Sequence, residues 1–193
     1  MSYKALYDYC QELYQPSPLQ DIVDHAIKFS GADGIKVFPA DLDAKKSIGY
    51  FIAATNAEHP FVKWAGGMPV IVVSRGNNYC WKRFVIVKEA MHLFDKQIEN
   101  LNSSAELMSL VAEFLAASPQ PSVHLKSENR AFWMGLALFC PEKYRVELNR
   151  KRVAGELTDN QIARQLEMPE TYVPHLFSPN YRKIIQNILE NPA

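Results

Sequence analysis

Trp81-Lys82-Arg83-Phe84-Val85-Ile86-Val87-Lys88-Glu89-Ala90-Met91-His92-Leu93-Phe94-Asp95 is the stretch from which the architecture is read. Phe84, Val85, Ile86, Val87, Ala90, Met91, Leu93 and Phe94 surround it with apolar surface, so a helix built from it is central and largely buried. Asn77 and Asn78 offer N-caps just upstream, and the spacing predicts a helix over residues 79–98. On that helix Lys88, His92 and Asp95 fall at i, i+4 and i+7 and share a face, with Glu89 three residues before His92. Buried Lys, Glu and His need partners, because an unpaired charge in a core is costly. A structural ion-pair network meets that need, and so does a functional polar site. Lys88-Glu89-x-x-His92 differs by one residue from His-Glu-x-x-His, in which two imidazoles four residues apart grip zinc and the Glu activates its water.

Helices are expected at both ends of the chain and strands before the motif helix. Residues 3–14 place Leu6, Tyr7, Cys10, Leu13 and Tyr14 at helical spacing and stop before Pro16 and Pro18. Residues 18–29 carry Leu19, Ile22, Val23, Ala26 and Ile27 on one face, ending near Gly31. Past the Gly31-Ala32-Asp33-Gly34 turn, residues 35–38, 49–54 and 68–73 read as three short strands, the last buried on both faces. Ser103 and Ser104 start a further helix with Leu107, Leu110, Val111, Phe114 and Leu115 as its stripe. Residues 118–122 form a Pro-containing loop, and residues 123–139 resume as a helix that Pro141 closes. The fold class is α+β, mainly helical, with a small three-stranded sheet packed on the motif helix.

Composition narrows the partners. A chain of 193 residues, 48% of them hydrophobic, supports one substantial core. Twenty-one basic residues balance 21 acidic ones, so overall charge gives a polyanion no hold on it. Cys10, Cys80 and Cys140 are odd in number and lack the paired spacing of a zinc knuckle, as expected of free thiols in a reducing compartment. The N-terminus has no basic start followed by an apolar core, and no run reaches membrane-spanning length. A cytoplasmic protein without a membrane partner is expected.

Residues 157–173 have the pattern of a helix-turn-helix, with Thr158 capping and Ile162, Ala163 and Leu166 set to pack against Val173 and Leu176. Glu167 holds the turn position often filled by glycine, and Glu170, Thr171 and Tyr172 stand where a recognition helix would carry Arg or Lys. Acidic groups there would face phosphates. The basic cluster Arg145, Arg150, Lys151 and Arg152 lies just before, but DNA is the less favoured partner.

The order of a short sheet, Arg83-Phe84, Glu89, His92-Leu93 and then Glu128-Asn129-Arg130-Ala131-Phe132-Trp133-Met134-Gly135-Leu136-Ala137-Leu138-Phe139-Cys140-Pro141 resembles the ImmA/IrrE family of metallopeptidase-like proteins. The resemblance spans residues 31–176. It implies a zincin-like fold and one domain over residues 1–193: N-terminal helices to residue 30, a metallopeptidase-like core over 31–141, and a helical C-terminal segment over 142–193 whose helix-turn-helix-like tail serves packing. In that family two histidines and the glutamate of the following helix bind zinc, and the motif glutamate is the general base. Carried over position by position, His92 is the second metal ligand, Glu128 the third and Glu89 the base, while Lys88 stands in place of the first ligand. Phe132 and Trp133 depart from the family's smaller residues at those positions. Asp95 is expected as a second-shell carboxylate that orients the imidazole of His92. His124, at i to the i+4 of Glu128, is a second candidate for that shell and the best for a replacement ligand.

Lys88 changes the expected chemistry. An ammonium has three donors and no acceptor, and Glu89 or Glu128 beside it would hold its proton more tightly than the reference pKa of about 10.4. Zinc left with His92 and Glu128 alone lacks the third protein ligand of a catalytic site, and counting Glu89 as that ligand removes the base. Zinc is therefore expected to be absent or weakly bound, with Lys88 pairing with Glu128 as a cation in the metal's place. Three functions follow: a regulatory protein with a degenerate zinc site that binds a protein or peptide; an active zinc endopeptidase cleaving a transcriptional repressor; or a DNA-binding regulator acting through the C-terminal segment.

Overall fold

The computed structural model describes residues 2–13, 16–43, 47–99, 109, 110, 113 and 120–191. Among them are nine α-helices and a three-stranded mixed sheet. Helices α1 (Tyr3–Glu12) and α2 (Leu19–Ser30) come first, followed by β1 (Lys36–Ala40), β2 (Gly49–Ile52), α3 (Pro60–Trp64) and β3 (Val70–Ser74). The motif helix α4 (Tyr79–Ala90) leads into a 3-10 turn, Met91–Phe94. After it come α5 (Val123–Leu138), α6 (Glu142–Val153), α7 (Asp159–Leu166), α8 (Val173–Leu176) and α9 (Tyr181–Glu190). Of the helix expected from Ser103 and Ser104, Ser109, Leu110 and Glu113 are described and helical, and Leu107, Val111, Phe114 and Leu115 lie outside the described residues. No helix among the described residues is long and apolar enough to cross a membrane.

The sheet order is β1-β3-β2, with β1 parallel and β2 antiparallel to the central strand. Every residue of β3 is buried, as its unbroken Val-Ile-Val-Val run requires of a strand covered on both faces. Ile71 packs into the main core with α4, whereas Val70 and Val72 meet Val62 of α3 and Ala65 just after it on the other side. Pro39 sits in β1, an edge strand, where its missing N–H breaks no ladder bond.

Helix α4 is the centre of the packing, against β2 and β3 on one side and α2 and α5 on the other. Two glycines let it be approached closely. A Cβ on Gly49 of β2 would stand 2.3 Å from Val85 Cγ1 and 2.8 Å from the Val72 carbonyl oxygen. A Cβ on Gly135 of α5 would stand 3.1 Å from Lys88 Cα. The main core then runs through Leu6, Ile22, Val87, Leu138, Ile162 and Ile185, so helices from both ends of the chain close over α4.

Arg83 ties the ends together. Its buried guanidinium donates to the Ser17 carbonyl at 2.6 Å and to the Leu166 carbonyl at 2.6 Å, and lies over the Phe139 ring. It thereby satisfies an orphan carbonyl at the C-terminus of α7. That helix begins with a capping box, Thr158 accepting from the Gln161 N–H and Gln161 from the Thr158 N–H. It ends at Glu167 in the left-handed region, φ 50°, where glycine would be unstrained. Beyond the turn, the expected recognition helix is a 3-10 turn, Glu170–Tyr172, running into the single turn of α8.

Candidate functional site

The motif helix is shorter than the sequence predicts. The helix expected over residues 79–98 ends at Ala90, and residues 91–94 tighten into a 3-10 turn before Asp95 takes an extended conformation. Side chains three apart eclipse in such a turn. Glu89, His92 and Asp95 fall at i, i+3 and i+6, with a carboxylate facing each nitrogen of the imidazole, while Lys88 and His92 both reach Glu128.

Lys88 reaches across to α5, where Gly135 allows its backbone to sit close. Its Nζ donates to Glu128 Oε2 and, at 3.0 Å, to Glu89 Oε1. The second oxygen of each carboxylate faces the imidazole: His92 Nε2 lies 3.3 Å from Glu128 Oε1 and 3.5 Å from Glu89 Oε2. Neither approach is aligned as a hydrogen bond, so the buried His92 Nε2 and Glu89 Oε2 meet their neighbours as ion-pair contacts only. Glu89 and His92 are only 3% and 7% exposed, so these contacts are made out of reach of bulk water.

The far side of the imidazole is fully engaged. His92 Nδ1 donates to Asp95 Oδ2 at 2.6 Å, and the same oxygen accepts from Ser127 Oγ at 2.5 Å. Arg130 Nη2 donates to Asp95 Oδ1 at 2.6 Å, and its guanidinium grips both oxygens of Glu99 at 2.9 and 2.7 Å. Phe51 of β2 stacks on the His92 ring, centroids 5.7 Å apart. Asp95 thus lies in direct contact with His92, as a carboxylate that fixes a histidine's tautomer would. His124 Nδ1 lies 3.1 Å from the Glu99 carbonyl oxygen, and His124 is not one of the three groups here that could share a metal ion.

Burial and charge act in opposition here. Burial lowers the Lys88 pKa, but Glu89 and Glu128 outweigh it and the net shift is upward, keeping the amine charged. Burial raises Glu128, which Lys88 and His92 overcome, holding it well below the usual carboxylate range. Glu89 shifts the other way: burial, joined by the charge of Glu128, raises its pKa despite Lys88. For His92, burial disfavours the imidazolium, yet Glu128 and the Asp95 hydrogen bond lift its pKa to about 10.

Glu89, His92 and Glu128 each offer a ligand atom within 4.8 Å of the other two, so the group could hold a metal ion. One imidazole nitrogen and two carboxylate oxygens suit a first-row divalent ion. His92 Nε2 and Glu89 Oε2, neither of them hydrogen-bonded, point into the same space, and Lys88 holds the opposite oxygens of both carboxylates, so the donor set fits.

Beside His92 a cleft of about 540 Å³ opens, walled by Phe51, Ala54, Gly67, Met68 and Leu93, with Asp33 at its edge. Sequence reasoning missed Phe51, Ser127, Arg130 and Glu99. Ser127 and Arg130 carried a signal as polar neighbours of Glu128 at i−1 and i+2 on the same helix, whereas Phe51 carried none.

Comparison with protein-family models, with curated proteins and with solved structures found no match to the chain. What the site can do is argued from its own residues.

Proposed function

We propose that the chain is a regulatory protein of ImmA/IrrE-like, zincin-like architecture that binds a protein or peptide partner in the cleft beside His92 without hydrolysing it. One observation carries this reading: the Lys88 ammonium, at the position where the resemblance implies a first zinc ligand, donates to both Glu89 and Glu128. A protonated amine offers no lone pair, so it completes no catalytic zinc centre. It does neutralise the two carboxylates and so docks α4 on α5. Glu89, engaged by Lys88 and buried against His92, is poorly placed to take a proton from an incoming water.

Where a metal is held, Glu89, His92 and Glu128 would hold it, and a bound divalent ion supplies Lewis acidity toward a carbonyl or water. Asp95 and Phe51 fix the imidazole between them, and Arg130 fixes Asp95, so the floor of the cleft is rigid whether or not an ion is present. The cleft holds about 540 Å³, and its wall is made largely of small and apolar residues. A transcriptional repressor is the candidate partner that the family resemblance suggests. The cytoplasmic setting belongs to the same reading, with Cys10, Cys80 and Cys140 all free thiols.

Packing is the better account of the C-terminal segment than DNA binding. Arg150, Lys151, Arg152 and Arg182 lie within ion-pair distance of Glu156, Glu147, Asp159 and Glu142 respectively. Cations already paired gain less from phosphates.

A library of unstructured peptides incubated with the purified protein, with and without added Zn2+, tests the proposal. Bound peptides are expected to be recovered intact, and Ala54→Trp, which fills the cleft, is expected to abolish their binding. Peptide cleavage that disappears in Glu89→Gln would refute it.

A further inference from the structure

The charges beneath the cleft are matched among themselves, and the one at its rim is not. Lys88, His92 and Arg130 carry three positive charges, His92 because its pKa stands at about 10, and Glu128, Asp95 and Glu99 carry three negative ones. Glu89, when ionised, adds a fourth negative charge. Asp33 lies on the loop between α2 and β1, exposed at the rim, and makes no hydrogen bond or ion pair among the described residues.

Two neighbours of Asp33 suit a cation carried on an aliphatic stem. Helix α2 ends at Gly31, in the left-handed region at φ 79°, and Gly31 lines the cleft. The carbonyl end of a 12-residue helix, with its partial negative charge, therefore lies near Asp33. Met68 bounds the same corner: its Sδ is 2.9 Å from where a Cβ on Gly34 would stand, so the thioether runs against the residue that follows Asp33. Lysine and arginine lay their methylenes on apolar surface and keep the charged head in water. We infer that the cleft selects peptide segments carrying an arginine or lysine, whose cation meets Asp33 at the end of α2 while its stem lies on Met68.

The inference rests on the proposed function, for which it names the chemistry of the partner. An acidic residue in the same place is repelled by Asp33, and a neutral one gains nothing from it, so the rim contributes selectivity where the apolar wall contributes contact. The selectivity is local, because 21 basic and 21 acidic residues leave the chain no net charge with which to draw cations to its whole surface.

Fluorescence anisotropy tests the assignment, with the full-length chain titrated into labelled unstructured peptides that differ only in one central Arg, Gln or Glu. The Arg peptide is expected to bind roughly three- to tenfold more tightly than the Gln peptide at low salt, an exposed ion pair and a helix end each contributing modestly, and the Glu peptide more weakly than both. The Arg-to-Gln ratio is expected to shrink to about twofold or less in Asp33→Asn, where the helix end alone remains, and Asp33→Lys to prefer the Glu peptide. Circular dichroism establishes that the variants are folded, and a fall of the wild-type ratio toward one in about 0.5 M NaCl is a readout that needs no variant. Equal binding of the Arg and Gln peptides by wild type, a ratio unmoved in folded Asp33→Asn, or a ratio unmoved by salt would each overturn the inference and leave the proposed function standing. Cleavage of the peptides would instead count against the proposed function, and binding of none of them would overturn both.

Discussion

His92 is the residue on which the site's electrostatics converge. Burial opposes its charge, but Glu128 and the Asp95 hydrogen bond prevail over it and over Lys88, lifting its pKa to about 10; Glu89 is the fourth charged group facing the ring. The unfolded value is about 6.5. A group whose folded pKa lies above its unfolded one adds stability that is complete below pH 6.5 and is lost as pH rises through about 10. Urea unfolding of wild type between pH 6 and 10.5 is therefore expected to lose on the order of 3 kcal/mol that His92→Gln does not lose. Parallel pH profiles for the two proteins would contradict this. The pairing of Lys88 with Glu128 is legible in the sequence, because an ammonium on a buried helix must find a carboxylate and Glu128 is the single carboxylate of α5. The role of Arg130 is not, since its partners Asp95 and Glu99 lie 35 and 31 residues away on a stretch whose pattern reads as continuing helix.

Helix α4 shows how an element's limits escape its own sequence. Met91, His92, Leu93 and Phe94 are no poorer helix formers than the residues before them, so nothing local marks Ala90 as the end. Asp95 ends it from outside: Ser127 and Arg130 of α5 hold its carboxylate, and the chain turns to reach them. Strand β3 was readable because a β-branched run bounded by turn residues has few other uses, and α3 was not, because five residues starting at Pro60 show no period. The close crossing of α4 and α5 depends on Gly135. In an exposed helix Gly→Ala would gain about 1 kcal/mol, but here the added methyl meets Lys88 Cα at 3.1 Å and the helices must part. Gly135→Ala is expected to cost roughly 1–3 kcal/mol of stability by urea unfolding. A stabilised variant would show that the crossing has slack.

At the scale of the whole molecule, two cations close the structure over α4. Arg83 binds carbonyls from the α1–α2 connection and from the end of α7, a clamp the sequence could not reveal because carbonyl acceptors leave no trace in residue type. Arg83→Met keeps the buried stem and strands both carbonyls, so a loss of about 3 kcal/mol is expected, with amide exchange in α7 and α8 accelerating more than in α4. Uniform acceleration across the chain would argue against a local clamp. Lys88 is the second cation, joining α4 to α5 through Glu128. If its ammonium holds the two helices together, the fold is independent of any bound ion. Its pair is partly exposed, so removal should fall below the usual 3–5 kcal/mol for a buried pair, at about 2–3 kcal/mol or roughly 5–10 °C in Tm. The decisive measurement is the Tm of wild type and Lys88→Met with and without EDTA. Wild type is expected to keep its Tm in EDTA, and Lys88→Met to melt about 5–10 °C lower; a wild-type Tm that falls in EDTA, with Lys88→Met as stable as wild type, would show that an ion and not the ammonium holds the helices.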